Sequence, residues 1–89
     1  MIEREILISN RLGLHARAAA KFVQAAGRFR ARISICRDGQ SVDGKSILGI
    51  LTLAACQGTR LLLRVEGPDE NEAVHALVNL VDGKFGEGQ

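Results

Sequence analysis

The stretch NRLGLHARAAAK, residues 10–21, predicts where a loop becomes the first helix of the chain. Gly13 gives this loop a residue that tolerates backbone angles disfavoured by a Cβ atom. An alanine-rich, helix-favouring run begins directly after His15. One face of that run carries four apolar residues at helical spacing: Ala19, Phe22, Val23 and Ala26. The pattern predicts an amphipathic helix over Ala16–Ala26 with His15 at its N-terminal end.

Two side chains at the start of this helix have the chemistry of an anion site. The imidazole of His15 changes protonation near neutral pH, and a helix N-terminus offers free N–H groups and a positive dipole end. Arg17 adds a permanent cation that fits phosphate or carboxylate. Together they indicate a place where a phosphoryl group is held. The same residues also fit a histidine that only caps the helix or lines the loop.

Strand and helix signals on either side of this stretch predict the rest of the fold. Strands are expected over Ile2–Ile8, Ala31–Arg37, Gln40–Val42 and Arg60–Glu66. Asp38-Gly39 is a hairpin-turn signal, and acidic residues from Asp69 onwards start a last helix. The order βαββαβα predicts an α+β fold, with one antiparallel sheet and the helices packed on one face. The tail over residues 83–89 contains three glycines and is expected to fray.

A short middle helix is predicted over Ile47–Ala54, with Ser46 as its N-cap. This segment is apolar around nearly its whole circumference, which a small domain cannot bury on every side. Three of its side chains are therefore expected to face a partner: Ile47, Leu48 and Leu51. Residues 39–46 also match the phosphate-loop pattern GxxxxGK[ST]. No buried parallel strand precedes them, so that interpretation is rejected.

Length and composition narrow the class of protein. The 89 residues, 46% of them apolar, suffice for one domain with a single modest core. No run approaches the roughly 20 apolar residues of a membrane span, and the N-terminus does not resemble a signal peptide, so a soluble cytoplasmic protein is expected. A net charge of +2 gives little reason to expect nucleic acid. Cys36 and Cys56 fit no metal pattern and are expected as buried or half-buried free thiols.

The segment GLHARAA, residues 13–19, resembles the active-site motif of the HPr family, the phosphohistidine carriers of the bacterial phosphotransferase system. The resemblance runs without gaps from about Glu3 to about Lys84, through the GKS segment at 44–46 and the QGT turn at 57–59. It implies an open-faced β-sandwich with three helices over four strands. One departure is Ala18, where many members carry a proline that presets the first helical turn.

The resemblance also implies a function without any cofactor or metal. His15 would accept a phosphoryl group from Enzyme I and pass it to an enzyme IIA-type domain, with Arg17 assisting the transfer. The protein would be a stoichiometric intermediate rather than a stand-alone catalyst, and a monomer. Ser46 would be a regulatory phosphorylation site for an HPr serine kinase/phosphorylase. The partner-binding surface would comprise Leu14, Ala18, Lys21, Gln24, Ile47, Leu48 and Leu51.

Some alternatives stay open on the sequence alone. The Ser46 segment resembles sugar-branch carriers, whereas the KFG ending at residues 84–86 resembles the nitrogen-related carriers. A cluster of Arg and Lys residues would fit an RNA- or DNA-binding module, although three Phe with no Tyr or Trp offer little for base stacking. An interaction domain without chemistry, using its apolar helix face, is the third possibility.

Overall fold

The computed structural model describes residues 1–87, which form four strands and three helices. The strands are β1 (Ile2–Leu7), β2 (Arg32–Arg37), β3 (Gln40–Asp43) and β4 (Arg60–Glu66). The helices are α1 (Ala16–Ala26), α2 (Ile47–Thr52) and α3 (Glu70–Asp82), and a 3-10 turn follows at Lys84–Gly86. The predicted order βαββαβα is confirmed.

The strands form one antiparallel sheet in the order β1-β4-β2-β3. Side chains alternate along each strand between two faces, and in β4 Leu61, Leu63 and Val65 are buried while Arg64 and Glu66 are exposed. The buried face packs under the helices, and the other face stays open. The predicted α+β open-faced sandwich is therefore confirmed.

Helix α1 lies directly over the core and has the predicted bounds. Ala18, Ala19, Phe22 and Ala26 are buried, and Val23 is half-buried against the same core. The helix packs against both α2 and α3. The helix is thus held by both neighbours as well as by the sheet-facing core.

Helix α2 ends two residues earlier than predicted. Ile50 is its buried residue, and Ala54 beyond it has a left-handed backbone with φ of 50°. A left-handed residue cannot continue a right-handed helix.

Gly39 of the phosphate-loop pattern lies between β2 and β3, where it has a φ of 83°. The first glycine of that pattern thus belongs to a hairpin turn, as the sequence indicated.

The prediction of a frayed tail is wrong for residues 83–87, and residues 88–89 lie outside the described part of the chain. Phe85 is only 1% exposed and belongs to the main core. The Lys21 ammonium donates to its carbonyl oxygen at 2.6 Å. The 3-10 turn therefore folds the chain back over α1, because one aromatic side chain buries enough apolar area to hold a glycine-rich segment.

Candidate functional site

His15 lies at the N-cap position of α1, with extended backbone angles. The backbone N–H of Arg17 donates to its Nδ1 at 3.2 Å. Its carbonyl oxygen accepts the first bond of the helix from Ala19 at 2.9 Å. The side chain is 23% exposed, so one edge of the ring is open to a reaction partner.

The loop before His15 is fastened to the segment that follows α2. Leu14 N–H donates to the carbonyl oxygen of Ala55 at 2.9 Å. Gly13 has a φ of 69°, and a Cβ atom there would lie 2.5 Å from that same oxygen and 2.8 Å from the Cα of Cys56. Only glycine fits this close approach. The close packing at Gly13 therefore helps to fix the position of His15.

The second ring nitrogen of His15 has a partner that the sequence did not indicate. His15 Nε2 hydrogen-bonds to Oε2 of Glu87, whose side chain is 12% exposed. Asn10, which is fully buried, donates to the other oxygen of Glu87 at 3.0 Å and to the carbonyl oxygen of Gly13 at 2.7 Å. The site therefore includes Asn10 and Glu87 as well as the motif residues.

The surroundings of Glu87 favour its ionised form. Its burial raises the pKa, but hydrogen bonds from Asn10 and His15, with the charges of His15 and Arg17, outweigh that effect. The net result is a pKa below the ordinary value of a glutamate. The ring of His15 thus faces a carboxylate rather than a carboxylic acid at neutral pH.

A cleft of about 360 Å³ lies beside this group, lined by Leu12, Arg17, Lys21, Gly86 and Glu87. Arg17 is exposed, so its guanidinium is available to an anion. Lys21 is half-buried and bonded to the 3-10 turn. The first turn of α1 and its basic side chains therefore offer positive charge on the open side of the histidine.

The predicted docking residues divide into exposed and buried groups. Gln24, Ile47 and Leu48 are exposed, the last at 77%, whereas Leu51 is half-buried. Leu14 and Ala18 are buried in the core, at 6% and 0% exposed. Their prediction as partner contacts is corrected, because a partner cannot touch side chains that the helices cover. Ile47 and Leu48 leave an apolar edge on α2, next to α1.

Ser46 occupies the predicted N-cap position of α2. Its Oγ accepts from the backbone N–H of Gly49 at 3.1 Å, and the residue is half-buried. Capping of this kind satisfies one of the free donors in the first turn. The serine is thus placed where the apolar edge of α2 begins.

The remaining candidate side chains lie outside this site. His75 is exposed on α3. Cys36 is a half-buried free thiol, whereas Cys56 is exposed, which corrects its predicted burial. Within residues 1–87 no group of three His, Cys, Asp or Glu side chains could hold a metal ion. No helix in that same range is long and apolar enough to cross a membrane.

Comparisons with known proteins agree with this geometry. The family model described as "PTS HPr component phosphorylation site" matches residues 2–82. The phosphocarrier protein HPr of Pseudomonas aeruginosa is 54% identical over 86 residues, covering 96% of each chain. A crystal structure of HPr-C-His from Thermoanaerobacter tengcongensis superimposes with a TM-score of 0.94 at 49% identity, covering 98% of each chain. A structure of an HPr dimer from the same organism matches at 48% identity and a TM-score of 0.76, covering 98% of this chain and 100% of that one.

Proposed function

Because this chain belongs to the HPr family of phosphocarrier proteins, we propose that it accepts a phosphoryl group from Enzyme I on His15 and passes it to an enzyme IIA-type domain. The observation that carries the proposal is the position of His15. Its ring is partly exposed at the N-terminus of α1, with Nδ1 beside a helix N–H group and Arg17 nearby. We further propose that residues 1–89 act as a single domain, as a monomer, in the cytoplasm.

The proposed step takes place at Nδ1. Its lone pair attacks the phosphorus atom, a new N–P bond forms, and the bond to the donor's leaving atom breaks with its electron pair. The Arg17 N–H group, which donates to Nδ1 in the free protein, is then released toward the phosphoryl oxygens. Helix N–H groups and one arginine stabilise the anion without a metal. Modest stabilisation suits a carrier, because tight binding of the phosphoryl group would slow its onward transfer.

The proposal is tested by the mass of the protein after incubation with Enzyme I and phosphoenolpyruvate. We expect a gain of one phosphoryl group that mild acid removes, since phosphohistidine is acid-labile and phosphoserine is not. An unchanged mass, or a gain that survives acid, would contradict a phosphohistidine carrier. The protein treated without Enzyme I is the control.

The proposed docking surface joins the open side of His15 to the exposed edge of α2. It comprises Arg17, Lys21 and Gln24 on α1, together with the α2 side chains Ile47, Leu48 and Leu51. Exposed apolar side chains beside a basic helix face suit a partner whose surface is acidic around an apolar centre. The surface does not include Leu14 or Ala18, which are buried.

Replacing Arg17 with alanine should slow phosphoryl exchange by about ten- to a hundredfold, because a charge-assisted interaction is worth about 1.5–3 kcal/mol. Stability should hardly change, because the side chain is exposed. The measurement is the exchange rate with Enzyme I, with the exposed Arg28→Ala, just beyond the C-terminal end of α1, as the matched control. Normal exchange in Arg17→Ala would remove this residue from the site.

We also propose that Ser46 is a regulatory site for a serine kinase of the HPr kinase/phosphorylase type. A phosphate there adds about −1.5 to −2 charges, at the positive end of the α2 dipole. The helix tolerates that charge. When a partner docks on the adjacent apolar edge of Ile47 and Leu48, however, the phosphate would lose water at a cost in binding free energy.

A Ser46→Asp variant should keep its thermal stability and weaken phosphotransfer from Enzyme I, since the aspartate still caps α2. Ser46→Ala is the matched control: it loses the cap, at about 0.5–2 kcal/mol, but adds no charge and should transfer normally. Unfolding temperature and transfer rate are measured on both. Equal transfer rates for Asp and Ala would leave Ser46 as a helix cap only.

A further inference from the structure

We propose that Glu87 is a positioning residue that fixes the tautomer of His15, so that Nδ1 is the ring nitrogen that carries the phosphoryl group. This inference rests on the proposed function and adds a residue to it. It stands on the chain of hydrogen bonds that runs from the buried Asn10 through Glu87 to Nε2 of His15. Three observations support it independently: the negative charge of Glu87, the hydrogen bonds at the two ring nitrogens of His15, and the packing of the C-terminal 3-10 turn on the core.

The two ring nitrogens of His15 have opposite kinds of partner. Nε2 faces a carboxylate oxygen of Glu87, which only accepts hydrogen bonds when ionised. Nδ1 faces the backbone N–H of Arg17 at 3.2 Å, which only donates. A neutral imidazole satisfies both partners in one way, with its proton on Nε2 and its lone pair on Nδ1. The lone pair is thus held at the nitrogen on the helix side.

Glu87 is itself held on two sides. Asn10 donates to its Oε1 at 3.0 Å from a fully buried position, and Asn10 is fixed in turn by its bond to Gly13. The backbone N–H of Glu87 donates to the carbonyl oxygen of Lys84 at 3.0 Å. The buried Phe85 ties this turn to the core. A carboxylate that is anchored in this way can orient a ring rather than merely neutralise it.

The arrangement also stabilises the charge that develops during transfer. As the Nδ1 lone pair forms the N–P bond, the ring becomes positively charged while its proton stays on Nε2. The leaving group of the donor takes the electron pair of the broken bond, so no proton has to move. The anionic Glu87 faces that new positive charge through the same hydrogen bond, which is how a carboxylate assists an imidazole in other acyl- and proton-transfer sites.

Replacing Glu87 with glutamine keeps the size of the side chain and removes its charge, so it distinguishes a positioning role from a packing role. The glutamine oxygen can still accept from Asn10, which turns its NH₂ group toward Nε2 of His15. Both ring nitrogens then face a donor, because Nδ1 already faces the Arg17 N–H, so the preference for the proton on Nε2 is lost and the Nδ1–H tautomer, which has no lone pair at the reactive position, becomes populated. We expect phosphorylation to slow by about ten- to a hundredfold, the range found when a histidine in a metal site loses its carboxylate partner, because both the tautomer preference and the facing negative charge are lost. Glu66→Gln, an exposed residue at the far end of β4, is the matched control.

Nitrogen-15 NMR of His15 in the unphosphorylated protein shows which ring nitrogen carries the proton. A merely structural role of Glu87 would leave that position unchanged. The wild type and Glu66→Gln should show the proton on Nε2, and Glu87→Gln should show a measurable share of it on Nδ1. Glu87→Ala, which removes the carboxylate without adding a donor, should phosphorylate at a rate between those of the wild type and Glu87→Gln. Thermal unfolding of each variant checks that the fold is retained.

An unchanged tautomer, or an unchanged rate in Glu87→Gln, would overturn the role of Glu87. These failures are distinct from failure of the proposed function. If the wild type itself forms no phosphohistidine, the carrier function is wrong. If the wild type is phosphorylated and Glu87→Gln behaves like it, only the positioning role is wrong.

Discussion

His15→Ala should take up no phosphoryl group from Enzyme I, because no other described side chain combines an open imidazole with a helix N-terminus and an adjacent arginine. The second histidine in residues 1–87, His75, is exposed on α3 and lies outside the site. The fold should survive, since the lost cap is worth about 0.5–2 kcal/mol and the ring is partly exposed. The measurement is acid-labile label after incubation with Enzyme I and phosphoenolpyruvate.

His75→Ala is the matched control for this result. It removes an imidazole from the surface of α3 and should be labelled like the wild type. Circular dichroism of both variants checks that the helices remain. Labelling of His15→Ala at the normal rate would remove His15 from its proposed role.

Phe85→Ala should lower the free energy of unfolding by about 3–5 kcal/mol, the usual cost of truncating a buried phenylalanine. The side chain is 1% exposed and packs in the main core. A loss of that size is a large share of the roughly 5–15 kcal/mol that holds a domain together. Urea unfolding at equilibrium measures it.

Leu12→Ala is the control for this second prediction, because Leu12 is 64% exposed and its truncation leaves no cavity. It should change stability by less than about 0.5 kcal/mol. A loss below about 1 kcal/mol in Phe85→Ala would mean that residues 83–87 do not pack on the core. The anchoring of Glu87 would then lose its basis as well.

The parts of the fold that the sequence predicted correctly are those governed by local periodicity. Helix α1 has its predicted bounds because four apolar residues recur along one face. Strand β4 shows its alternation because every second side chain faces the core. Helix α2 ended early because the left-handed angles of Ala54 depend on the loop after it, which no local pattern of apolar residues encodes.

The tail and its contribution to the site could not be predicted in this way. Glu87 reaches His15 across 72 residues of chain, and Lys21 reaches Phe85 across 64. The local composition of residues 83–89, with three glycines, three polar residues and one aromatic residue, is typical of a frayed end. The motif around His15 indicated the reactive side chain, but the partners of its second nitrogen come from distant segments.

The burial of Leu14 and Ala18 shows a similar limit. Both residues belong to the motif around His15, and the resemblance to the HPr family implied that they contact a partner. Ala18 faces the core because it lies on the same side of α1 as Phe22, four residues on. Leu14 is covered because its loop is fastened to Ala55. Whether a side chain is exposed depends on the direction in which it points, and adjacent residues point in different directions.

The most direct test of this account is to identify the atom that bears the phosphoryl group. Uniformly nitrogen-15-labelled protein is phosphorylated with Enzyme I and phosphoenolpyruvate, and the nitrogen–phosphorus coupling is measured at each ring nitrogen by NMR. We expect coupling at Nδ1 of His15, with the proton remaining on Nε2 beside Glu87. Coupling at Nε2, or a phosphorylated protein without coupling at His15, would contradict it.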